Sequence, residues 1–271
     1  MVVLISADLE GASGVSCWEE VTPEGAGYAA ARDGLEQDVN AAVQSAVAAG
    51  ARRVRVVDAH AGMHNLRRER VDARAELLVG PGKELPMLQG VDAAQAVVLL
   101  GCHARAGTPR AVLDHTYASR QVYRLELGGR EAGEILLNAA LAGEYGVPVV
   151  AVAGDRAACA EAAAELPGVA LAEVKQWLGP GSARLLPPEE ARRRLAAAMQ
   201  DGLARREGIP PVRLEPPVTC RVDFLTVDQA ERAGAYPNSR RTGPRTVEIT
   251  GRDTREAFRG FRIMLTLAGG P

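Results

Sequence analysis

Asp8 and Glu10 stand two residues apart at the end of an apolar run, VVLISA at 2–7. In extended chain alternate side chains point to the same side, so both carboxylates can face one cation. Two carboxylates this close at a buried strand end repel each other unless positive charge lies between them, and a divalent metal is the simplest source. Taken singly, Asp8 reads equally well as a helix cap and Glu10 as a solvated acid. His60 and His103 follow apolar runs in the same way, in the segments DAH and GCHAR. Imidazole nitrogen favours zinc over calcium or magnesium, which prefer all-oxygen shells. A single histidine is more often packed or solvated than metal-bound. Here, however, three of only four histidines fall near expected strand ends or the loops after them. The fourth, His64, sits among Gly62 and Asn65 and reads as exposed or loop-bracing. Asp58, two residues before His60, suits either a hydrogen bond that orients an imidazole or a structural cap. Glu134 opens a helical pattern after a Gly-Gly turn. Its carboxylate can project from a helix N-terminus toward the same edge, although alone it is an ordinary first-turn acid. Arg105, two residues past His103, is a candidate for holding a substrate carboxylate or an intermediate oxygen, against an ion pair as the even alternative.

The elements that must position these groups follow from periodicity. Short apolar runs at 2–7, 53–58, 95–101, 148–154 and 169–174 alternate with helical patterns at 27–50, 133–146 and 156–166, the signature of βαβ units. The run VYRLEL at 122–127 reads as an outer strand leading into the turn at Gly128 and Gly129. A helix over 187–207 begins with prolines and acids and ends with basic residues, complementing its own dipole. The expected fold is α/β, a mainly parallel doubly wound sheet with a smaller C-terminal α+β subdomain. The proline-rich stretch IPPVRLEPP at 209–217 sets the boundary, giving a metal-binding catalytic domain over 1–208 and a small unit over 209–271. That unit reads as strand 218–225, helix 226–234, strand 244–250 and helix 253–268, and patterning alone leaves open whether it extends the main sheet. In open α/β sheets ligands bind outside the carboxyl ends of the strands. That edge is where Asp8, Glu10, His60 and His103 all fall.

Composition removes other classes of function. Lys and Arg number 32 against 34 Asp and Glu, so no broad field attracts nucleic acid or anionic lipid. No run approaches the ~18 apolar residues of a membrane span, and the N-terminus lacks the apolar core of a signal peptide. A cytoplasmic location is expected. The four cysteines, Cys17, Cys102, Cys159 and Cys220, are scattered and read as reduced thiols rather than a structural zinc site.

Taken together, SADLEGASGV (6–15), DAHAGMHNL (58–66), GCHARAGTP (101–109), DHTY (114–117), GEILLNAALAGEYGVPVVAVAGD (133–155) and VKQ (174–176) resemble the zinc D-aminopeptidase family associated with bacterial dipeptide-transport operons. The motifs span most of the first 180 residues; the C-terminal third matches less distinctly. The resemblance implies two zinc ions per subunit, with Asp8 bridging both, Glu10 and His60 completing one site, and His103 and Glu134 completing the other. It singles out His115 as catalytic, a nucleophile or a base. It also implies a short peptide substrate with a free N-terminus and a large ring-like homo-oligomer, a decamer, whose active sites face an internal channel. The expected activity is removal of the N-terminal residue from short peptides, D-residues included. Two rival readings remain at the level of sequence. One is a dinuclear-metal hydrolase of another small amide or a phosphoester. The other is a non-catalytic metal- or nucleotide-binding regulatory module, although GASGV lacks the spacing of a phosphate-cradling loop.

Overall fold

Strands buried on both faces read as unbroken apolar runs, and parallel sheets covered by helices demand such strands. Val2–Ala7 (β1), Ala96–Cys102 (β4) and Val149–Asp155 (β7) meet that demand, whereas Arg53–Asp58 (β2) alternates arginine with valine before ending in the buried Val56, Val57 and Asp58. With Ala75–Leu78 (β3), Ala170–Gly179 (β8) and Ser182–Leu185 (β9) they form a seven-stranded sheet in the order β3-β2-β1-β4-β7-β8-β9. Every pairing is parallel except the β8–β9 hairpin at one edge. This is a computed structural model, and it describes residues 1–270. Alternating residues of β1 divide between two cores. Val3 and Ile5 pack with Leu35 and Val39 of α1 (Tyr28–Ala48) and Leu195 and Met199 of α4 (Pro188–Arg205). Leu4 faces the opposite side, toward α2 (Glu134–Glu144), which is buried nearly all round. Helix α3 (Arg156–Glu165) packs on β7 and β8.

The second sheet is antiparallel, in the order β11-β12-β10-β5-β6. Its members are Val122–Leu127 (β5), Arg130–Glu131 (β6), Val218–Phe224 (β10), Ser239–Arg241 (β11) and Thr246–Gly251 (β12). Phe224, Val222 and Leu125 from this sheet join Phe258 and Phe261 of α6 (Thr254–Gly269) in the core that also holds α2. The short helix α5 (Val227–Ala233) packs on α6 and opens with a capping box, Thr226 accepting from the Gln229 amide.

VYRLEL, expected as an outer strand leading into a turn, pairs antiparallel with β10, Leu125 opposite Val222, and carries β6 on its other side. The C-terminal strands therefore form a separate sheet that is completed by β5 and β6 from the middle of the chain, so the small unit is not built from 209–271 alone. Strands β3, β9 and β11, each of three or four residues, are too short to show a period. Among the described residues no helix is long and apolar enough to cross a membrane.

Candidate metal centre

The parallel register brings the ends of β1, β2 and β4 level, with Ala7 opposite Asp58 on one side and Leu100 on the other. The chain leaving β1 then runs against β4, backbone to backbone. Gly11 N–H donates to Gly101 O at 2.7 Å and Asp8 N–H to Leu100 O at 2.9 Å. A Cβ on Gly11 would lie 1.9 Å from Cys102 O, and one on Gly101, whose φ is 73°, would lie 2.0 Å from Asp8 O. Only glycine allows this approach. Lys175 of β8, fully buried, ties the same loop from the other side, its Nζ donating to the carbonyls of Glu10 at 2.5 Å, Ala12 at 2.9 Å and Val15 at 2.8 Å. Asp38 of α1 accepts from Ser13 N–H and Ser13 Oγ, both at 3.1 Å.

The loops after β2 and β4 carry the histidines. Among the described residues, the five non-glycine positions with positive φ are Ala61, Met63, Arg110, Leu113 and Tyr117, all within these two loops. Strained backbone of this kind survives where surrounding contacts over-determine it. Asp58 supplies such contacts, its carboxylate accepting from Asn65 N–H at 2.5 Å, Asn65 Nδ2 at 2.8 Å and Leu66 N–H at 2.8 Å. It braces the loop and orients no imidazole. His64 is exposed.

Each of the other three histidines has one ring nitrogen on a backbone carbonyl and the other facing carboxylates. His60 Nε2 meets Val21 O at 2.7 Å, while its Nδ1 lies 2.8 Å from Glu10 Oε2 and 3.4 Å from Asp8 Oδ1. His103 Nδ1 meets Ala104 O at 3.1 Å, while its Nε2 lies 3.3 Å from Glu134 Oε1 and 3.5 Å from Asp8 Oδ2. His115 Nδ1 meets Leu113 O at 3.0 Å, while its Nε2 lies 3.8 Å from Glu10 Oε1 and 3.9 Å from Glu134 Oε1. The His103 and His115 rings stack, with centroids 3.8 Å apart. Asp8 has a carboxylate oxygen toward each of His60 and His103 and so stands between the two halves of the cluster. Glu134, the first residue of α2, accepts Tyr117 N–H at 2.7 Å, and the helix N-terminus favours its negative charge.

These groups are all buried, and burial disfavours charge on Asp8, His60, His103 and Glu134. Against that burial, the hydrogen bonds His60 donates to Asp8 and Glu10 raise it to about 11. Against the same opposition, Glu134 and then Asp8 raise His103 to about 10. The carboxyls of Asp8 and Glu134 are correspondingly held below their ordinary values by the facing imidazoles. The cage therefore demands positive charge. Its donor set suits zinc: ligand atoms of Asp8, Glu10 and His103 lie within 4.8 Å of one another, as do those of His103, His115 and Glu134. His103 Nε2 is buried without a hydrogen-bond partner among the described residues, a lone donor atom aimed at the carboxylates. Carbonyl contacts that fix the far nitrogen of a ligating histidine are the usual outer support of such sites.

A cavity of about 720 Å³ opens onto the cluster, lined by Asp8, Glu10, His60, His115 and Glu134 at one end and by side chains such as Trp18, Met63, Met87 and Tyr117 along its walls. The five expected ligands and His115 thus converge. Arg105 does not join them: its N–H and guanidinium engage Glu161, at 2.8 and 3.7 Å, and it is not among the cavity's lining residues. Sequence reasoning gave no role to Lys175, Trp18 or Arg120. The available signals were a lysine within an expected strand, AEVKQW, and its place in the VKQ motif.

The sequence profile of the peptidase M55 family, described as D-aminopeptidase, matches residues 1–263. The chain is 32% identical over 272 residues to the D-aminopeptidase of Bacillus subtilis (strain 168), covering 99% of this chain and 98% of that protein. It also superposes on a solved structure described as the Zn-dependent D-aminopeptidase DppA from Bacillus subtilis, a self-compartmentalizing protease. The TM-score is 0.96 and the identity 31%, covering all of this chain and 99% of the other. With the profile spanning nearly the whole chain, the protein belongs to the peptidase M55 family of D-aminopeptidases.

Proposed function

We propose that this protein is a zinc-dependent aminopeptidase that removes the N-terminal residue of short peptides, D-residues included. Asp8, Glu10, His60, His103 and Glu134 would hold two zinc ions per subunit, Asp8 being the residue shared by the two halves of the cluster. The observation that carries this reading is the arrangement of three imidazoles, each fixed by a backbone carbonyl and each turned toward a different pair of the three buried carboxylates Asp8, Glu10 and Glu134. Zinc in that cage supplies Lewis-acid stabilisation of the charge that develops at the scissile carbonyl.

The chain's own residues do the rest. His115 is the catalytic residue, acting as base or nucleophile. Its Nδ1 rests on Leu113 O while its Nε2 faces the mouth of the cluster, and the edge of Trp18, 5.4 Å away between centroids, limits how far the ring can swing. The apolar walls of the cavity strip water from a small side chain and hold the peptide against the cage. A large ring-like homo-oligomer, a decamer, is the expected assembly, and the DppA relative is described as self-compartmentalizing. A cytoplasmic location accords with four unpaired cysteines.

Elemental analysis combined with an assay of paired D- and L-peptides bearing free amino termini tests this reading. His115→Ala should abolish turnover while zinc content stays at the wild-type value. Zinc loss in that variant would make His115 a ligand instead and refute its catalytic role. Failure of a zinc-replete wild-type enzyme to cleave any peptide of the panel would refute the function.

A further inference from the structure

The cavity beyond the cluster is chemically one-sided. Its inner end holds Asp8, Glu10 and Glu134, its walls are apolar or neutral, and a single lining residue, Arg120, carries a permanent positive charge. Arg120 is exposed at the rim. Its backbone is fixed: Gln229 Nε2 donates to Arg120 O at 2.8 Å, Gln121 N–H closes a turn on Ala118 O at 2.8 Å, and Leu225 N–H binds Gln121 O at 2.8 Å. Its guanidinium, by contrast, forms no ion pair or hydrogen bond among the described residues, whereas Arg105 is already engaged by Glu161. A rigid mount with a free guanidinium fork suits a carboxylate, which such a fork binds through two parallel hydrogen bonds.

We propose that Arg120 is the specificity residue that receives the C-terminal carboxylate of a short peptide, a role that rests on the aminopeptidase reading above. Length supports it. Tyr117, whose N–H touches Glu134 at 2.7 Å, is three residues from Arg120, a stretch of at most about 11 Å. An extended di- or tripeptide covers a similar distance at about 3.5 Å per residue. A short peptide whose amino end lies at the cage can therefore bring its carboxylate within reach of Arg120 at the other end of the cavity. Longer peptides place an uncharged backbone there and gain nothing from the arginine.

The test compares alanine di-, tri- and hexapeptides, in D and L forms, each as the free acid and as the C-terminal amide, on the zinc-loaded wild type, Arg120→Ala and Arg120→Lys. In the wild type the free-acid di- and tripeptides should be favoured over their amides about tenfold in kcat/KM, through KM, with no such preference for the hexapeptide. Arg120→Ala should remove that preference by raising KM for the acids with kcat little changed, and Arg120→Lys should restore part of it. Calorimetric binding of the dipeptide acid and amide to the His115→Ala protein should show the same ratio without turnover. Equal treatment of acid and amide by the wild type, or a ratio that survives Arg120→Ala, overturns the proposal. A zinc-loaded wild type that cleaves neither form sinks the aminopeptidase reading and takes this role with it.

Discussion

Replacing Lys175 with methionine isolates the strongest support the candidate centre receives from outside its own loops. The ammonium donates to three carbonyls, and only one of them has another partner among the described residues: Ala12 O also accepts Val15 N–H, at a long 3.3 Å. Methionine fills a similar volume and offers no donor, so the carbonyls of Glu10 and Val15 are left buried and unpaired, at a cost of ~1–3 kcal/mol each. Part of that loss is returned. Burial pulls the Lys175 ammonium down to about 8, so the native structure already bears a penalty for holding the charge, and methionine removes it. The net expectation is a destabilisation of no more than ~2–3 kcal/mol, read as a lower urea midpoint at unchanged m-value. The site feels the change directly, because the carbonyl that loses its donor belongs to Glu10 itself. A carboxylate displaced by even a fraction of an ångström meets its cation poorly, so zinc affinity should fall at least tenfold when titrated against a competing chelator. The charge-preserving change Lys175→Arg should fare no better, since a planar guanidinium cannot point three hydrogens at three converging carbonyls. Wild-type stability together with wild-type zinc affinity in Lys175→Met would refute the argument that this lysine holds the loop.

Other consequences can be measured separately. Gly11→Ala should abolish zinc binding while leaving a folded chain, by circular dichroism and elemental analysis, because its Cβ would fall 1.9 Å from Cys102 O and drive the Asp8–Glu10 segment off β4. Phe261→Ala should cost ~3–5 kcal/mol in chemical denaturation and lower kcat as well, since the Phe261 ring packs edge-on against Tyr117, whose N–H holds Glu134. Glu161→Gln should flatten the pH dependence of stability above pH 4.5. Burial, opposed by Arg105, raises the Glu161 carboxyl above its ordinary 4.5, so the folded chain keeps a proton that the unfolded chain releases. Stability then falls as pH climbs from 4.5 through the folded value, by at most ~1.4 kcal/mol per pH unit. Urea titrations of both proteins from pH 4.5 to 7 would show the difference, and parallel profiles would refute it.

Much of the centre was legible because its residues sit where one-dimensional pattern and three-dimensional position coincide. A parallel strand buried on both faces announces itself as an unbroken apolar run, and the residues just after it must lie at the carboxyl edge. Asp8, Glu10, His60 and His103 are all of this kind. Arg105 shows the limit of the same logic. It follows β4 as closely as His103 does, yet Glu161 of α3 captures its guanidinium, and nothing local to residues 103–107 reveals a carboxylate more than fifty positions away. Lys175 is the converse: its strand placement was readable, but its partners are loop carbonyls some 160 positions earlier, a relation that no period encodes.

The second sheet was harder still, for a physical reason. The buried residues of β5, Val122, Leu125 and Leu127, say which face is covered and nothing about which strand lies alongside, since an alternating strand satisfies either sheet equally well. What decides the matter is the core it shares with α6. Tyr117 sits at a positive φ and packs its ring edge-on against Phe258 and Phe261. The strained loop that carries His115 is thus stapled by aromatic rings to a helix near the C-terminus. The C-terminal third contributes no ligand to the candidate centre, yet through that staple it fixes the backbone N–H that holds Glu134, and through Gln229 it fixes the turn that presents Arg120. A region with little chemistry in its own sequence therefore helps hold elements at both ends of the cavity in place.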